Sequence, residues 1–183
     1  MAMTCGVGIN NAIASGVNML GDVHGGAGEQ ALELYQSILD ESSDQSLENA
    51  IDHALDQSIQ KTAFVPGFGH RFHKPEDPRA RPLMELLRQC AQDDPSIDPR
   101  FADIAEGIQD AIERRKGKRI AMNIDGATAA IYGALGVPAT LARGLFCLSR
   151  SVGLAAHAYE QSLSNERNKG PTPPRYRWTH DPN

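Results

Sequence analysis

Apolar side chains recur along this chain at helical spacing, and almost nowhere with the alternation expected of a strand. Leu47, Ile51, Leu55 and Ile59 fall one turn apart within residues 42–60, and Ser46 stands where a cap for that helix belongs. Residues 31–39 place Ala31, Leu34 and Ile38 on one face. Residues 82–92 point Leu83, Leu86, Leu87 and Cys90 inward, and residues 99–115 bury Phe101, Ile104, Ile108 and Ile112. The longest periodic run, 140–161, aligns Leu141, Leu145, Leu148, Val152 and Tyr159 along a buried face. Residues 2–17 are small and apolar and predict a further helix, weakened by its glycines. With no internal repeat and no strand-rich stretch, the pattern predicts an all-α fold.

Breaks in the pattern mark the connections. Turns are expected over 16–23 and 93–96, and Gly136-Val137-Pro138 closes a helix that a short extended lead-in begins near Ile120. Either Asn123 or Asp125 can cap that helix. The basic run from Arg114 to Arg119 sits at a helix end with Gly117 just beyond, which is ordinary carboxy-terminal capping chemistry. Residues 165–183 are polar and rich in proline and arginine, and read as an arm lying on another surface.

Composition narrows the function classes. At 183 residues the chain suits one domain with room for a smaller lobe. The net charge of −5 argues against nonspecific nucleic-acid binding, and no uncharged run is long enough for a membrane span. Cys5, Cys90 and Cys147 are odd in number and widely spaced, as expected of reduced core thiols in a cytoplasmic protein. The amino terminus lacks a basic leader, and it starts as though a helix had been entered part-way.

Candidate chemistry concentrates in three places. The loop from Val65 to Pro82 holds Gly67, Gly69, His70 and His73, with Arg71, Lys74, Arg79 and Arg81 close behind. Its glycines and prolines turn the backbone sharply and keep it out of helix, which suits holding an anion beside a proton donor. A solvated basic loop is the plain alternative. His24 lies in Val-His-Gly-Gly-Ala-Gly-Glu just before a helix amino terminus, where the dipole disfavours an imidazolium, though a turn histidine would look the same. Asp125 is followed by Gly126 and Ala127, which leave room for a substrate carbon to approach its carboxylate. Arg150 sits in an apolar helix with no acid within a turn, at a rim or facing an anion from elsewhere. A metal site from His70, His73 and Asp77 is the weakest reading, because prolines and arginines surround it.

Taken in order, these motifs resemble the citrate synthase family. The likeness is carried by Val-His-Gly-Gly-Ala-Gly-Glu around His24, Pro-Gly-Phe-Gly-His-Arg around His70, Asp77-Pro78-Arg79, Asn-Ile-Asp at Asp125, Leu135-Gly136-Val137-Pro138, and Leu145 to Arg150 followed by Val152-Gly153. It implies an all-α dimer with its active site in a cleft between a large and a small domain. Residues 1–64 would then be part of the large domain, 65–135 the small domain, and 136–183 a helix and tail returning to the large one. The reaction implied joins an acyl-CoA, usually acetyl-CoA, to a 2-oxo acid, usually oxaloacetate, with coenzyme A as the carrier and no metal. Asp125 would remove a proton from the thioester methyl. His24 would stabilise the enolate, and His70 would act as acid at the keto oxygen. Arg79 and Arg150 would hold substrate carboxylates with Arg71 nearby, and Lys74, Gly67 and Gly69 would serve the coenzyme A.

Two departures temper the likeness. Family members that act alone carry a longer amino-terminal part with a His-Glu-Asn-like segment, and the tail has Pro173 where the family often has an arginine, with Arg175 two residues on. Short citryl-CoA lyase-like members differ in the same regions, so either direction of the carbon–carbon step fits. A truncated, inactive paralogue that binds coenzyme A is the alternative of another class.

Overall fold

The structure is a computed structural model that describes residues 1–61, 64–164 and 166–167, without the side chains of 59–61. The Ile59 side chain and all of the proposed arm but 166–167, including Pro173 and Arg175, therefore lie outside what is described. Among those described, helices are the only regular elements: α1 (Ile9–Asn18), α2 (Ala27–Glu41), α3 (Leu47–Lys61), α4 (Ala80–Asp93), α5 (Arg100–Lys116), α6 (Ile124–Ala134) and α7 (Ala139–Leu163). The all-α expectation holds. The chain divides into two units, residues 1–19 with 149–183, and residues 20–148.

The second unit carries the hydrophobic core. Helix α6 is its hub, packing against α2, α4 and α5. It can do so because its inward positions are small: Gly126, Ala127, Ala129, Ala130, Gly133 and Ala134 are all buried. Tyr35, Leu32, Ile38, Leu55, Ile104 and Ile108 fill the space around it and are fully enclosed. Helix α5 buries the four apolar residues its spacing singles out, and Ser46 Oγ accepts the Asn49 backbone N–H at 3.3 Å at the start of α3. Gly117 ends α5 with φ of 63°, and Arg115 of the basic run bonds Asp52 and Asp56 of α3. The run is thus a helix end whose arginines, Arg114, Arg115 and Arg119, pair with acids.

Several expectations need correcting. Gly6 at φ of 88° breaks the predicted 2–17 helix into a short 3-10 turn and α1. On α2 the buried face is Ala31, Leu32, Tyr35 and Ile38, with Leu34 at its edge. Leu86 of α4 faces solvent. On α7, Leu141, Leu148, Val152 and Tyr159 are between 50% and 72% exposed, so the described residues leave this stripe uncovered. Cys5 is exposed rather than core, and all three thiols are free. In the first unit, α1 buries no residue, and its Gly16 lies so close to the Leu154 side chain of α7 that a β-carbon would come within 2.6 Å.

The tightest approach in the second unit joins the 65–82 loop to α6. Gly67, at φ of 85°, lies where a β-carbon would meet the Gly126 Cα at 2.8 Å, and a β-carbon on Gly126 would strike the Gly67 carbonyl. Both obstacles are backbone and cannot rotate away. Gly126→Ala should therefore cost about 1–3 kcal/mol, the range for overpacking a filled core, read as a lower urea midpoint at unchanged slope.

Candidate active site

The loop holding His70 is fastened to the start of α6 by Asn123. The Asn123 Oδ1 caps the helix, accepting the backbone N–H groups of Asp125 at 2.9 Å and Gly126 at 3.2 Å. Its Nδ2 donates to the Gly69 carbonyl at 2.8 Å, and its backbone N–H donates to the Gly67 carbonyl at 2.9 Å. Gly69 N–H returns a bond to the Ala121 carbonyl at 2.8 Å. Of the two capping candidates, the structure uses Asn123, which leaves the Asp125 carboxylate uncommitted to the cap.

Within the loop, His70 Nδ1 accepts two backbone N–H groups, from Phe72 and His73, each at 3.0 Å. A nitrogen that accepts carries no proton, so the ring holds its hydrogen on Nε2, the one nitrogen left to donate. The His73 ring lies alongside with centroids 4.4 Å apart. Arg71 is exposed, its guanidinium 5.6 Å above the Phe72 ring, and Lys74 is exposed as well.

Asp77 and Asp125 are held in opposite electrostatic states. The Asp77 side chain has no exposed surface and each of its oxygens accepts two bonds. Oδ1 takes the Arg79 backbone N–H and Nε, at 3.1 and 2.9 Å. Oδ2 takes Arg79 Nη2 at 2.7 Å and the Ile124 N–H at 3.2 Å. The Arg79 guanidinium draws this carboxyl down from 3.8 to about 2. Asp125 moves the other way: burial raises it above the ordinary carboxylate range, against the pull of Arg79, His24 and His70 and with a push from Asp77.

The groups that act on Asp125 come from three distant stretches. His24 stands two residues before Gly26, the residue that precedes α2, in a turn where Gly21 N–H bonds the His24 carbonyl at 2.8 Å. His24, His70, Arg79 and Asp125 thus share one electrostatic neighbourhood in the second unit. Arg150 is exposed on the part of α7 that belongs to the first unit. A cleft of about 760 Å³ opens beside the loop, lined by Val23, Leu34, Phe64, Val65, Gly67 and Asn123 among others.

His70, His73 and Asp77 do bring ligand-type atoms within 4.8 Å of one another. The Asp77 oxygens and His70 Nδ1 are already filled by N–H donors, however, so the cluster is organised around Arg79 and the loop backbone rather than a cation. The sequence reading gave Asn123 only a capping role, and Asp77 only its place in the shared motif and in the weak metal reading. The signals for more were local, an Asn before a helix start and an Asp two residues ahead of an Arg.

Residues 2–175 match the model for the citrate synthase C-terminal domain. The chain belongs to the citrate synthase family. The citrate/2-methylcitrate synthase of Bacillus subtilis is 32% identical over 158 residues, 86% of this chain and 39% of the relative. The chain thus spans about two-fifths of the length of that curated relative. Among solved structures, citryl-CoA lyase from Hydrogenobacter thermophilus aligns with 98% of this chain and 67% of its own, at 32% identity and a TM-score of 0.80. Citrate synthase from Thermoplasma acidophilum, solved with carboxymethyl coenzyme A and oxaloacetate, shares the fold at a TM-score of 0.62 and 24% identity over 88% of this chain and 41% of its own.

Asp77→Asn should lower stability at neutral pH by about 1–3 kcal/mol, because the amide cannot accept all four N–H groups. In the native chain the Asp77 contribution is present above pH 3.8 and lost as pH falls through about 2. Acid unfolding followed by far-ultraviolet circular dichroism should show that component, and the variant should lack it.

Proposed function

We propose that this chain supplies the catalytic part of an enzyme that forms or breaks a carbon–carbon bond between an acyl-CoA and a 2-oxo acid, by way of a citryl-CoA-type intermediate. The observation that carries the reading is a part-buried carboxyl, raised by its surroundings, with two imidazoles and an arginine in electrostatic reach. Asp125 takes the proton from the thioester methyl, and its raised affinity for that proton is what a base for so weak a carbon acid needs. His24 donates a hydrogen bond to the thioester oxygen as the enolate forms. The enolate carbon then attacks the keto carbon, and His70 meets the oxygen left behind with its Nε2–H, the proton its bonding pattern makes available. Arg79, oriented by Asp77, holds a substrate carboxylate, with Arg150 and Arg71 assigned the same class of partner. The cleft beside Gly67 takes the coenzyme A portion, with Gly69 and Lys74 contributing. We assign residues 65–135 to a small domain and the flanking segments to a large one. Apolar side chains left uncovered on α7 support a homodimer.

Cleavage of citryl-CoA to acetyl-CoA and oxaloacetate is the second reading, favoured by the extent of the match to the lyase structure. The same three groups serve it in reverse order. Full-length protein should be assayed with acetyl-CoA plus oxaloacetate and with citryl-CoA, following thiol release and oxaloacetate separately. Absence of both reactions, and of deuterium uptake from solvent into the acetyl-CoA methyl, would overturn the proposal.

Asp125→Asn and His24→Ala should each reduce turnover by about 10²–10⁴-fold with the fold retained. Because the folded state favours the neutral form of Asp125, its ionisation is a cost above the ordinary carboxylate range. Asp125→Asn should therefore unfold at a slightly higher temperature than the native chain at pH 7, and at nearly the same temperature near pH 3.

A further inference from the structure

Arg143, near the start of α7, spends its guanidinium on two carboxylates that flank His24. Its Nη2 donates to Asp22 Oδ1 at 2.6 Å, across 121 positions of sequence. Its Nε faces Glu29 Oε2 as an ion pair, and both of those atoms are shut off from solvent. Asp22 belongs to the turn that carries His24, and Glu29 to the first turn of α2. The same Nη2 lies over Gly26, where a β-carbon would come within 3.1 Å of it. One turn further along α7, Phe146 rests against Gly25, 3.2 Å from where a β-carbon would stand. Among the described residues, the turn's other polar fastenings include the Gly21 bond and a 3.3 Å contact from Gln30 Nε2 to the Asp22 carbonyl.

We propose that Arg143 is a positioning residue for His24, fixing the Gly21–Gly25 turn against the amino end of α2 and cancelling the two nearby carboxylates. What His24 does once positioned rests on the proposed enolate chemistry; the clamp itself does not. Two uncompensated negative charges beside a donor to an enolate would oppose the charge that develops there. An arginine is suited to the task because one rigid plane carries several N–H groups, so that Nε and Nη2 here reach separate acids, where a lysine offers a single point charge.

The test combines a structural and a kinetic measurement on full-length protein. In Arg143→Met, amide hydrogen exchange of peptides covering residues 20–30 should speed up at least tenfold, while those in α4 and α5 keep native rates. Solvent deuterium uptake into the acetyl-CoA methyl should fall roughly tenfold to a hundredfold, the usual scale for a misplaced catalytic group, with the KM for acetyl-CoA little changed. Arg143→Lys, which keeps the charge and one contact, should recover part of both. Asp22→Asn, a milder variant at the exposed end of the clamp, should show the same exchange signature to a smaller degree. Native exchange at 20–30 in Arg143→Met, or loss of protection spread evenly over the chain, overturns the proposal. Faster exchange confined to 20–30 in a protein whose native form leaves acetyl-CoA untouched would sustain the clamp and sink the enolate reading instead.

Discussion

Two glycines in contact fix the joint between the 65–82 loop and α6. Gly67 and Gly126 meet backbone to backbone, and a β-carbon at either one would press on the other's main chain. The approach lets Asn123 reach across and bond the loop carbonyl of Gly69 while still capping α6. His70 and Asp125 are each within three residues of this junction, so their separation is set by a handful of backbone contacts rather than by long side chains. The Ile124 N–H to Asp77 bond ties Arg79 into the same junction. His24 arrives independently, from the amino end of α2, whose Tyr35 is buried against α6 and bonds the Gly126 carbonyl at 3.4 Å.

The two carboxylates illustrate how surroundings divide identical groups into different jobs. Asp77 is surrounded by N–H donors and a guanidinium, which makes it a permanent anion and a fixed mount for Arg79. Asp125 is part-buried and, among the described residues, receives no such donors, so burial raises its affinity for a proton. Residue type alone does not separate them in the sequence. What separates them is where the donors go: Arg79 and the Ile124 N–H converge on Asp77, while Asn123 takes the N–H groups of Asp125 and Gly126.

Features set by neighbours along the chain were legible beforehand. The stripe on α5, the Ser46 cap, the glycine stop at Gly117 and the placement of His24 ahead of a helix all follow from short-range spacing, and all appear in the structure. The order of motifs also pointed to the family that the comparisons bear out. Features set by partners far along the chain were not legible. Nothing near Arg143 announces that its acids lie at Asp22 and Glu29. The α7 stripe reads as buried because periodicity reports that a face is apolar, not what covers it. Cys5 misled for a related reason: cysteine is usually interior, and the break at Gly6 turns this one outward.

Helix α6 has a property that follows from its run of glycine and alanine. A helix with almost no inward side chains has almost no rotamers, so it cannot absorb a disturbance by reshuffling them. Pressure from α2, α4 or α5 must then displace the whole rod, and Asp125 with it, or be resisted outright. The carboxylate is mounted on something closer to a machined bearing than to a cushion, and changes in the surrounding helices would be felt there as a shift in position rather than a loss of order.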